Sequence, residues 1–298
     1  MSITTIGIII ALISTASWAL CTTLLKKFGE KLEPIGMTTY KTILSFIILA
    51  VIIFLTGETF DIGFSNIFKI ALSGILGIAI GDSLFFASLN RLSPLVLSII
   101  LFVGPDLFSG IFGFVFLNEM PSLYQWIGIF CILTGLFLFM LQSKNNDNDD
   151  TTRKTTFIGL IFAILSLVCT AIAMVIIKPV LINVPVITAT MYRMFFSAIV
   201  LLIFGVFSKK VFKWKNILSD KKYNLKLSGT LALATIGGFW LSLVAIKYCK
   251  LIIASTVMSL EPLFILIFMI LFYKYIPNKK EIFGIFIIIT GIIFICLR

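Results

Sequence analysis

The stretch GIFCILTG at residues 128–135 returns 156 positions later as GIFIIITG at residues 284–291. The same offset aligns Pro121 with Pro277. Shared aliphatic residues carry little information in a chain this hydrophobic, but matched glycines and prolines do. The second half of the chain is therefore a copy of the first, an organisation typical of membrane transporters.

Closer to the start of each half the offset becomes 152, and the agreement continues. It aligns Thr-x-Tyr-Lys at 38–41 with Thr-x-Tyr-Arg at 190–193, and Ser45 with Ser197. The polar run QSKNNDNDDTTRKTT separates the copies. The predicted division is a first repeat at residues 1–141, a polar linker at 142–156 and a second repeat at 157–298.

The composition indicates an integral membrane protein. The chain has 298 residues, a mean hydropathy of +1.14 and only 12% charged residues, where a soluble domain carries about 25%. It contains no histidine, and its five cysteines are scattered singly. We therefore expect no metal site, no disulfide framework and no cofactor. The net charge of +11 comes from lysines between apolar runs, so no nucleic-acid partner is expected.

Apolar runs long enough to cross a bilayer, about 20 residues each, occur ten times. They lie at 3–25, 35–56, 67–89, 93–117, 123–141, 157–178, 185–207, 226–247, 251–273 and 281–297. The lysine-rich segment 208–224 is predicted as the largest loop, and Trp126 and Trp214 are predicted as interfacial anchors.

The predicted fold is an all-α membrane protein with ten transmembrane helices in two inverted five-helix repeats. Because five spans per repeat is an odd number, the second copy must cross the membrane in the opposite direction. Loops on the side opposite the termini carry 17 of the 24 Lys and Arg residues, and the terminal side carries 5. The positive-inside rule then predicts that both termini lie outside the cytoplasm.

Several motifs resemble the EamA-type branch of the drug/metabolite transporter superfamily. They include Trp18 early in the first span, Pro105 and Pro262 within the fourth and ninth spans, and Glu119 at the end of the fourth. The resemblance implies a central cavity, alternating access, export or exchange of small metabolites, and cytoplasmic termini. The chain departs from the pattern at Tyr275, which occupies the position of Glu119 in the second half.

Ionisable residues within predicted spans cost roughly 2.5–3.5 kcal/mol each at a helix centre, so they should face the bundle interior and find partners. Lys41 and Asp82 lie at similar depths from one face, and Arg193 and Glu261 at similar depths from the other. Both pairs are predicted, either as structural ion pairs or as cavity-lining groups. Asp106 remains without a cation, and binds either a coupling proton, a cationic substrate group or a neighbouring hydroxyl or backbone group.

Aromatic residues within spans complete the candidate site, since metabolite pockets combine aromatic walls with a few polar groups. Packing in the core or against lipid is the alternative for each. The candidate substrate-binding residues are Trp18, Tyr40, Lys41, Asp82, Phe86, Asp106, Tyr192, Arg193, Trp240 and Glu261.

The sequence favours a secondary transporter of the cytoplasmic (inner) cell membrane that exports or exchanges small polar or amphipathic metabolites such as amino acids. A transporter or flippase of a lipid-linked or cationic amphiphilic substrate is the alternative. The absence of a Walker motif indicates that this chain does not hydrolyse ATP. The absence of histidine and of clustered carboxylates disfavours a membrane enzyme, and no filter-like loop or ring of like charges indicates a channel. Expected partners are a small-molecule substrate, a coupling proton and membrane lipid, in a monomer or homodimer.

Asp106 yields the first prediction. Replacing it by Asn should alter transport or its pH dependence, because the amide can bind neither a coupling proton nor a cationic substrate group as the carboxylate does. Asp106→Glu, which keeps the titratable group, should retain the pH dependence. The measurement is uptake into proteoliposomes across pH 5.5 to 8.5, and an unchanged profile in the Asn variant would exclude the proton-binding role.

Overall fold

The structure is a computed structural model of the whole chain. The residues that it describes are 3–28, 31–57, 63–98, 100–101, 124, 126–128, 130–131, 134, 150–177, 179–248, 257–258 and 260–296. Every regular element in these residues is helical.

The helices follow the apolar runs of the sequence. In chain order they are α1 (Ile3–Phe28), α2 (Pro34–Thr56), α3 (Phe64–Gly74), a π-helical segment (Ile75–Ile80), α4 (Gly81–Leu89), α5 (Asp150–Ile177), a short 3₁₀ turn (Val180–Ile182), α6 (Val186–Phe207), α7 (Lys210–Leu218), α8 (Lys221–Leu233), a second π-helical segment (Ala234–Trp240), α9 (Leu241–Tyr248), α10 (Glu261–Tyr273) and α11 (Lys279–Cys296).

Five helices of the described residues are long and apolar enough to cross a membrane. They are Thr5–Phe28, Pro34–Thr56, Asn66–Leu89, Thr156–Ile177 and Val186–Phe207. Shorter apolar helices occupy Glu261–Tyr273 and Ile282–Gly291. The predicted spans at 93–117 and 123–141 lie mostly outside the described residues.

The chain forms two compact units that do not coincide with the sequence repeats. The first unit comprises residues 1–23, 92–158 and 237–298, and the second comprises residues 24–91 and 159–236. Each unit therefore draws helices from both halves of the sequence, as expected when two copies interdigitate rather than fold separately.

In the second unit, helices from opposite repeats pack antiparallel. The hydroxyl of Ser73, near the start of the third span, donates to the carbonyl of Ala173 at 2.8 Å. The hydroxyl of Ser88, near its end, donates to the carbonyl of Gly159 at 2.8 Å. The third span of one copy and the first span of the other would run in the same direction if the copies had the same orientation. Their antiparallel packing confirms the inverted repeat.

The same contact between a first helix and a third helix recurs in each unit. Ser166 of α5 donates to the carbonyl of Gly81 at 2.8 Å. Its counterpart Ser14 of α1 donates to the carbonyl of Gly238 at 2.7 Å. The repeat offsets align Ser14 with Ser166. They align Gly81 with Gly237, which is the neighbour of Gly238. The first helix of each repeat thus pairs with the third helix of the other.

Gly238 allows an aromatic ring to approach the helix backbone closely. A Cβ atom at this position would lie 2.5 Å from Cε3 of Trp18. The sequence suggests Gly237-Gly238 as a flexible point of the eighth span. In the structure both glycines lie in the π-helical segment, and Gly238 packs against Trp18 and accepts the bond from Ser14.

The π-helical segments were not predicted from the sequence. Ile75–Ile80 and Ala234–Trp240 each interrupt the third helix of a repeat, so the irregularity is shared by the two copies. A π segment shifts backbone bonding from four to five residues and is frequent at functional sites. In the first copy, the π-helical segment ends two residues before Asp82.

The predicted loop at 208–224 contains helix α7 and the start of α8. The prediction of a loop is therefore wrong for this segment. The helix forms because KVFKWKNIL places apolar residues at helical spacing among its lysines. Trp214 of this helix is 4% exposed and packs into the notches left by Gly36 and Gly205. It is therefore a buried packing residue, and its assignment as an interfacial anchor is wrong.

Glu33 ties α7 to the start of α2. Its carboxylate lies 3.0 Å from Lys210 Nζ and 3.1 Å from Lys213 Nζ. Hydrogen bonds from these two lysines lower the pKa of Glu33 below its usual value. Tyr223 also donates to the carbonyl of Phe28 at 3.0 Å. The loop after the first span and the segment after the seventh therefore lie at the same end, as the span count requires.

Gly74 yields a prediction about packing. A Cβ atom at Gly74 would lie 2.6 Å from the backbone oxygen of Arg193, which no side-chain rotation can relieve. Gly74→Ala should therefore destabilise the protein by about 1–3 kcal/mol. Gly229 has nothing within 4 Å of the equivalent atom, so Gly229→Ala should be neutral or slightly stabilising. Thermal unfolding in detergent compares the two, and equal effects would contradict the predicted contact.

Candidate functional site

The candidate site residues divide between the two units. Tyr40, Lys41, Asp82, Phe86, Tyr192 and Arg193 belong to the second unit, and Trp18, Trp240 and Glu261 belong to the first. Asp106 lies outside the described residues. The geometry below is therefore built within each unit separately.

Lys41 and Asp82 form the ion pair that their depth in the sequence predicts. Lys41 Nζ donates to Asp82 Oδ2 at 2.7 Å. Lys41 lies seven residues into α2 and Asp82 seven residues before the end of α4, so both lie about 10 Å from the same helix ends. The lysine side chain is 8% exposed and the aspartate 23% exposed. The predicted pairing is confirmed.

Arg193 of α6 is buried near this pair, and no ion pair joins it to an acidic residue of the described part of the chain. The residue is 5% exposed, and its Nε has no hydrogen-bond acceptor in the described structure. A Cβ atom at Gly77 would lie 3.1 Å from Arg193 Nη2, so the guanidinium passes over a glycine of the π-helical segment. Asp82 interacts with Arg193 electrostatically. Glu261 belongs to the other unit, and its pairing with Arg193 stays a prediction.

Two hydroxyl pairs line the same helices and were not predicted from the sequence. Ser83 Oγ donates to Thr38 Oγ1 at 3.1 Å, which joins α4 to α2 beside the Lys41–Asp82 pair. Ser45 Oγ and Thr235 Oγ1 lie 2.7 Å apart and join α2 to the second π-helical segment. The alignment of Ser45 with Ser197 marks a repeated hydroxyl position in the sequence. It does not identify Thr235 as the bonding partner of Ser45.

The aromatic candidates of the second unit have packing and bonding partners. The hydroxyl of Tyr40 bonds to the side chains of Asn224 and Ser228 and so fastens α8 to α2. Tyr192 packs against both hydrophobic clusters of this unit, one around Ile70 and Ile177 and the other around Leu49 and Ile53.

Phe86 completes the aromatic candidates of this unit. It is 3% exposed and contacts Phe85 edge to face, with ring centroids 5.1 Å apart. The charged candidates of this unit are Lys41, Asp82 and Arg193.

The first unit holds the other three candidates. Trp18 lies on Gly238, and Trp240 is half-buried at the end of the same π-helical segment. Glu261 is 1% exposed in the first turn of α10 and interacts electrostatically with Cys21 of α1. A carboxylate at the first turn of a helix is favoured by the helix dipole.

The chemistry available in the second unit is charge recognition. Lys41, Asp82 and Arg193 supply two cations and one carboxylate, with hydroxyls on adjacent turns. Within the described residues no three His, Cys, Asp or Glu side chains come together as a metal site would need. Such a set can hold and orient a small polar molecule within the span region.

The sequence of the EamA-like transporter family matches this chain at residues 5–141 and again at residues 157–297. The chain belongs to the EamA-like transporter family. It is accordingly a multi-pass membrane protein of a family that transports small substrates across membranes. The two matches fall on the two halves related by the internal repeat.

Individual relatives agree with this membership. "Uncharacterized transporter YxxF" of Bacillus subtilis (strain 168) is 34% identical over 142 residues, which are 48% of this chain and 45% of that protein. The match thus spans less than half of the relative's length. A solved crystal structure of a protein is similar over 98% of this chain and 95% of its own, with a TM-score of 0.62 and 13% identity. That likeness shows the fold alone.

The cluster of Lys41, Asp82 and Arg193 predicts unequal effects of two neutralising changes. Asp82→Asn removes the carboxylate that lies beside two buried cations, whereas Lys41→Met leaves Asp82 with Arg193 still nearby. Asp82→Asn should therefore destabilise the protein more, by about 3 kcal/mol or above. Thermal unfolding in detergent measures both, beside Lys69→Met, an exposed lysine of α3. A larger effect of Lys41→Met would contradict this view of the charges.

Proposed function

We propose that this protein is a secondary transporter that exports or exchanges small polar or amphipathic metabolites, such as amino acids, across the cytoplasmic membrane. The observation that carries the proposal is the buried Lys41–Asp82 pair with Arg193 beside it, within the spans of an EamA-like chain. Charged groups at such depth are costly and usually mark a substrate or ion pathway.

The two signs of charge support an amino acid as substrate. Only Oδ2 of Asp82 bonds to Lys41, and the aspartate side chain keeps 23% of its surface exposed. An ammonium group can therefore bind the carboxylate of Asp82 while a cation of the cluster binds a substrate carboxylate. A site that offers both signs suits a zwitterion better than a neutral sugar.

The inverted repeat supports alternating access. Transporters of this architecture hold substrate near the bilayer midplane and expose it to each side by movement of one set of helices against the other. Two features of the third helix in each repeat are suited to such movement. They are the π-helical segments and the contacts through small residues, which separate and re-form more readily than interlocked large side chains.

A transporter or flippase of a lipid-linked or cationic amphiphilic substrate is the second candidate. The 30 phenylalanines of the chain favour it, since an aromatic pocket accepts acyl chains. The excess of cations over carboxylates in the second unit disfavours the cationic variant of this candidate. Vesicle transport of amino acids against transfer of a fluorescent lipid separates the two.

Counterflow in proteoliposomes tests the proposal. Vesicles loaded with a mixture of unlabelled amino acids should accumulate a labelled amino acid transiently above its equilibrium level, because a carrier exchanges one molecule for another. Protein-free vesicles and Asp82→Asn vesicles should show none, and Lys69→Met should match the wild type. Absence of saturable counterflow for amino acids, small organic acids and amines alike would refute a metabolite carrier.

A further inference from the structure

We infer that Arg193 binds the substrate, and that the group it binds is a carboxylate. The inference rests on the proposed function and makes it more specific. It assigns to the site a substrate class, monocarboxylates and zwitterionic amino acids, and excludes their neutral and purely cationic analogues.

The first step is that Arg193 requires an anion. A guanidinium remains protonated at any physiological pH, so it cannot escape burial by losing its charge. Arg193 is 5% exposed, and in the described structure its Nε has no acceptor. A buried charge without a bonded counter-charge is strongly destabilising. Among the described residues of this unit, Arg193 therefore lacks a bonded counter-charge, which a ligand anion would supply.

The second step is that the spans of this unit supply no such partner. Asp82 is the sole acidic residue in the sequence of the spans Pro34–Thr56, Asn66–Leu89, Thr156–Ile177 and Val186–Phe207. It already accepts a 2.7 Å bond from Lys41. No hydrogen bond or ion pair of the described structure joins it to Arg193, although the two interact electrostatically. Within the described cluster of Lys41, Asp82 and Arg193, one positive charge is therefore in excess.

The third step comes from the repeat. Lys41 and Arg193 are equivalent positions, and the equivalent of Asp82 is Gly238. The first half thus holds a cation with its carboxylate, and the second half holds the cation and a glycine in place of the acid. The cation is also arginine rather than lysine. The planar guanidinium can donate two parallel hydrogen bonds to one carboxylate, whereas the ammonium group of a lysine cannot.

The charge balance selects the class of anion. A monocarboxylate anion neutralises the single excess charge of the cluster, whereas a phosphate ester with two charges would overcompensate it. A zwitterionic amino acid supplies Arg193 with a carboxylate and places its ammonium group beside Asp82, leaving the net charge of the cluster unchanged. Gly77 contributes a further feature, because a Cβ atom at this buried glycine would lie 3.1 Å from Arg193 Nη2. A larger side chain at Gly77 would therefore displace the guanidinium.

The test compares each acid with its own uncharged derivative. Purified protein is screened by thermal shift against the common L-amino acids, their carboxamides, the corresponding decarboxylated amines and inorganic phosphate. Any amino acid that binds should do so about 10- to 100-fold more tightly than its carboxamide, the loss expected for a charge-assisted bond. In Arg193→Gln this ratio should fall to about one, and in Arg193→Lys it should be intermediate.

The outcomes separate this inference from the function on which it rests. If carboxamides or amines bind and exchange as well as the acids, or if Arg193→Gln keeps the ratio, the inference fails while the carrier stands. Preferential binding of phosphate would also overturn it. Loss of counterflow for every compound would refute the carrier itself. Lys69→Gln, at an exposed lysine of α3, is the control and should leave the ratio unchanged.

A further pair of variants tests for a counter-charge from within the chain. If Arg193 serves to neutralise Glu261 or Asp106, then Arg193→Gln combined with Glu261→Gln or Asp106→Asn should recover the stability that Arg193→Gln alone loses. The inference expects no recovery in either double variant, because the missing anion is the substrate. Recovery in one of them would assign Arg193 to that carboxylate instead.

Discussion

The cost of charge in an apolar surrounding is the constraint on which this structure depends. Four spans of the second unit contain a single carboxylate, Asp82, and the helix that carries Lys41 must lie where the 2.7 Å bond between them can form. That bond fixes α2 against α4 in depth and in rotation. Arg193 then lies where it interacts electrostatically with the carboxylate of Asp82, without a hydrogen bond to it in the described structure.

Small residues make this burial of charge possible. Lipid supplies no hydrophobic force between helices, so their association depends on close packing and on hydrogen bonds. Ser73 and Ser88 bond directly to backbone carbonyls of α5, and Gly74 and Gly77 bring the third span against the backbone and the guanidinium of Arg193. The backbone contacts exclude lipid from the arginine, so stability and charge burial have the same origin.

The sequence could predict the features that depend on residue identity and position within a helix, but not those that depend on contacts between distant segments. The repeat, its inversion and the Lys41–Asp82 pair were predictable because they depend on residue identity and depth along a helix. Helix α7 and the burial of Trp214 were missed, since a lysine-rich segment resembles a loop until Gly36 and Gly205 are known to lie beside it. The Ser45–Thr235 bond depends on a contact between the copies, which no single stretch of sequence encodes.

The replacement of the repeated acid by Gly238 has a consequence for transport. With a carboxylate in both halves, the empty carrier would be charge-balanced and free to change state with or without cargo. On the assignment of Arg193 to a substrate carboxylate, the empty carrier instead retains an uncompensated cation. Closing the site around that cation alone costs more than closing it around the cation paired with a bound carboxylate, because the ion pair offsets part of the desolvation energy. This difference slows the return of the empty carrier, so the charge asymmetry between the copies favours exchange over net export.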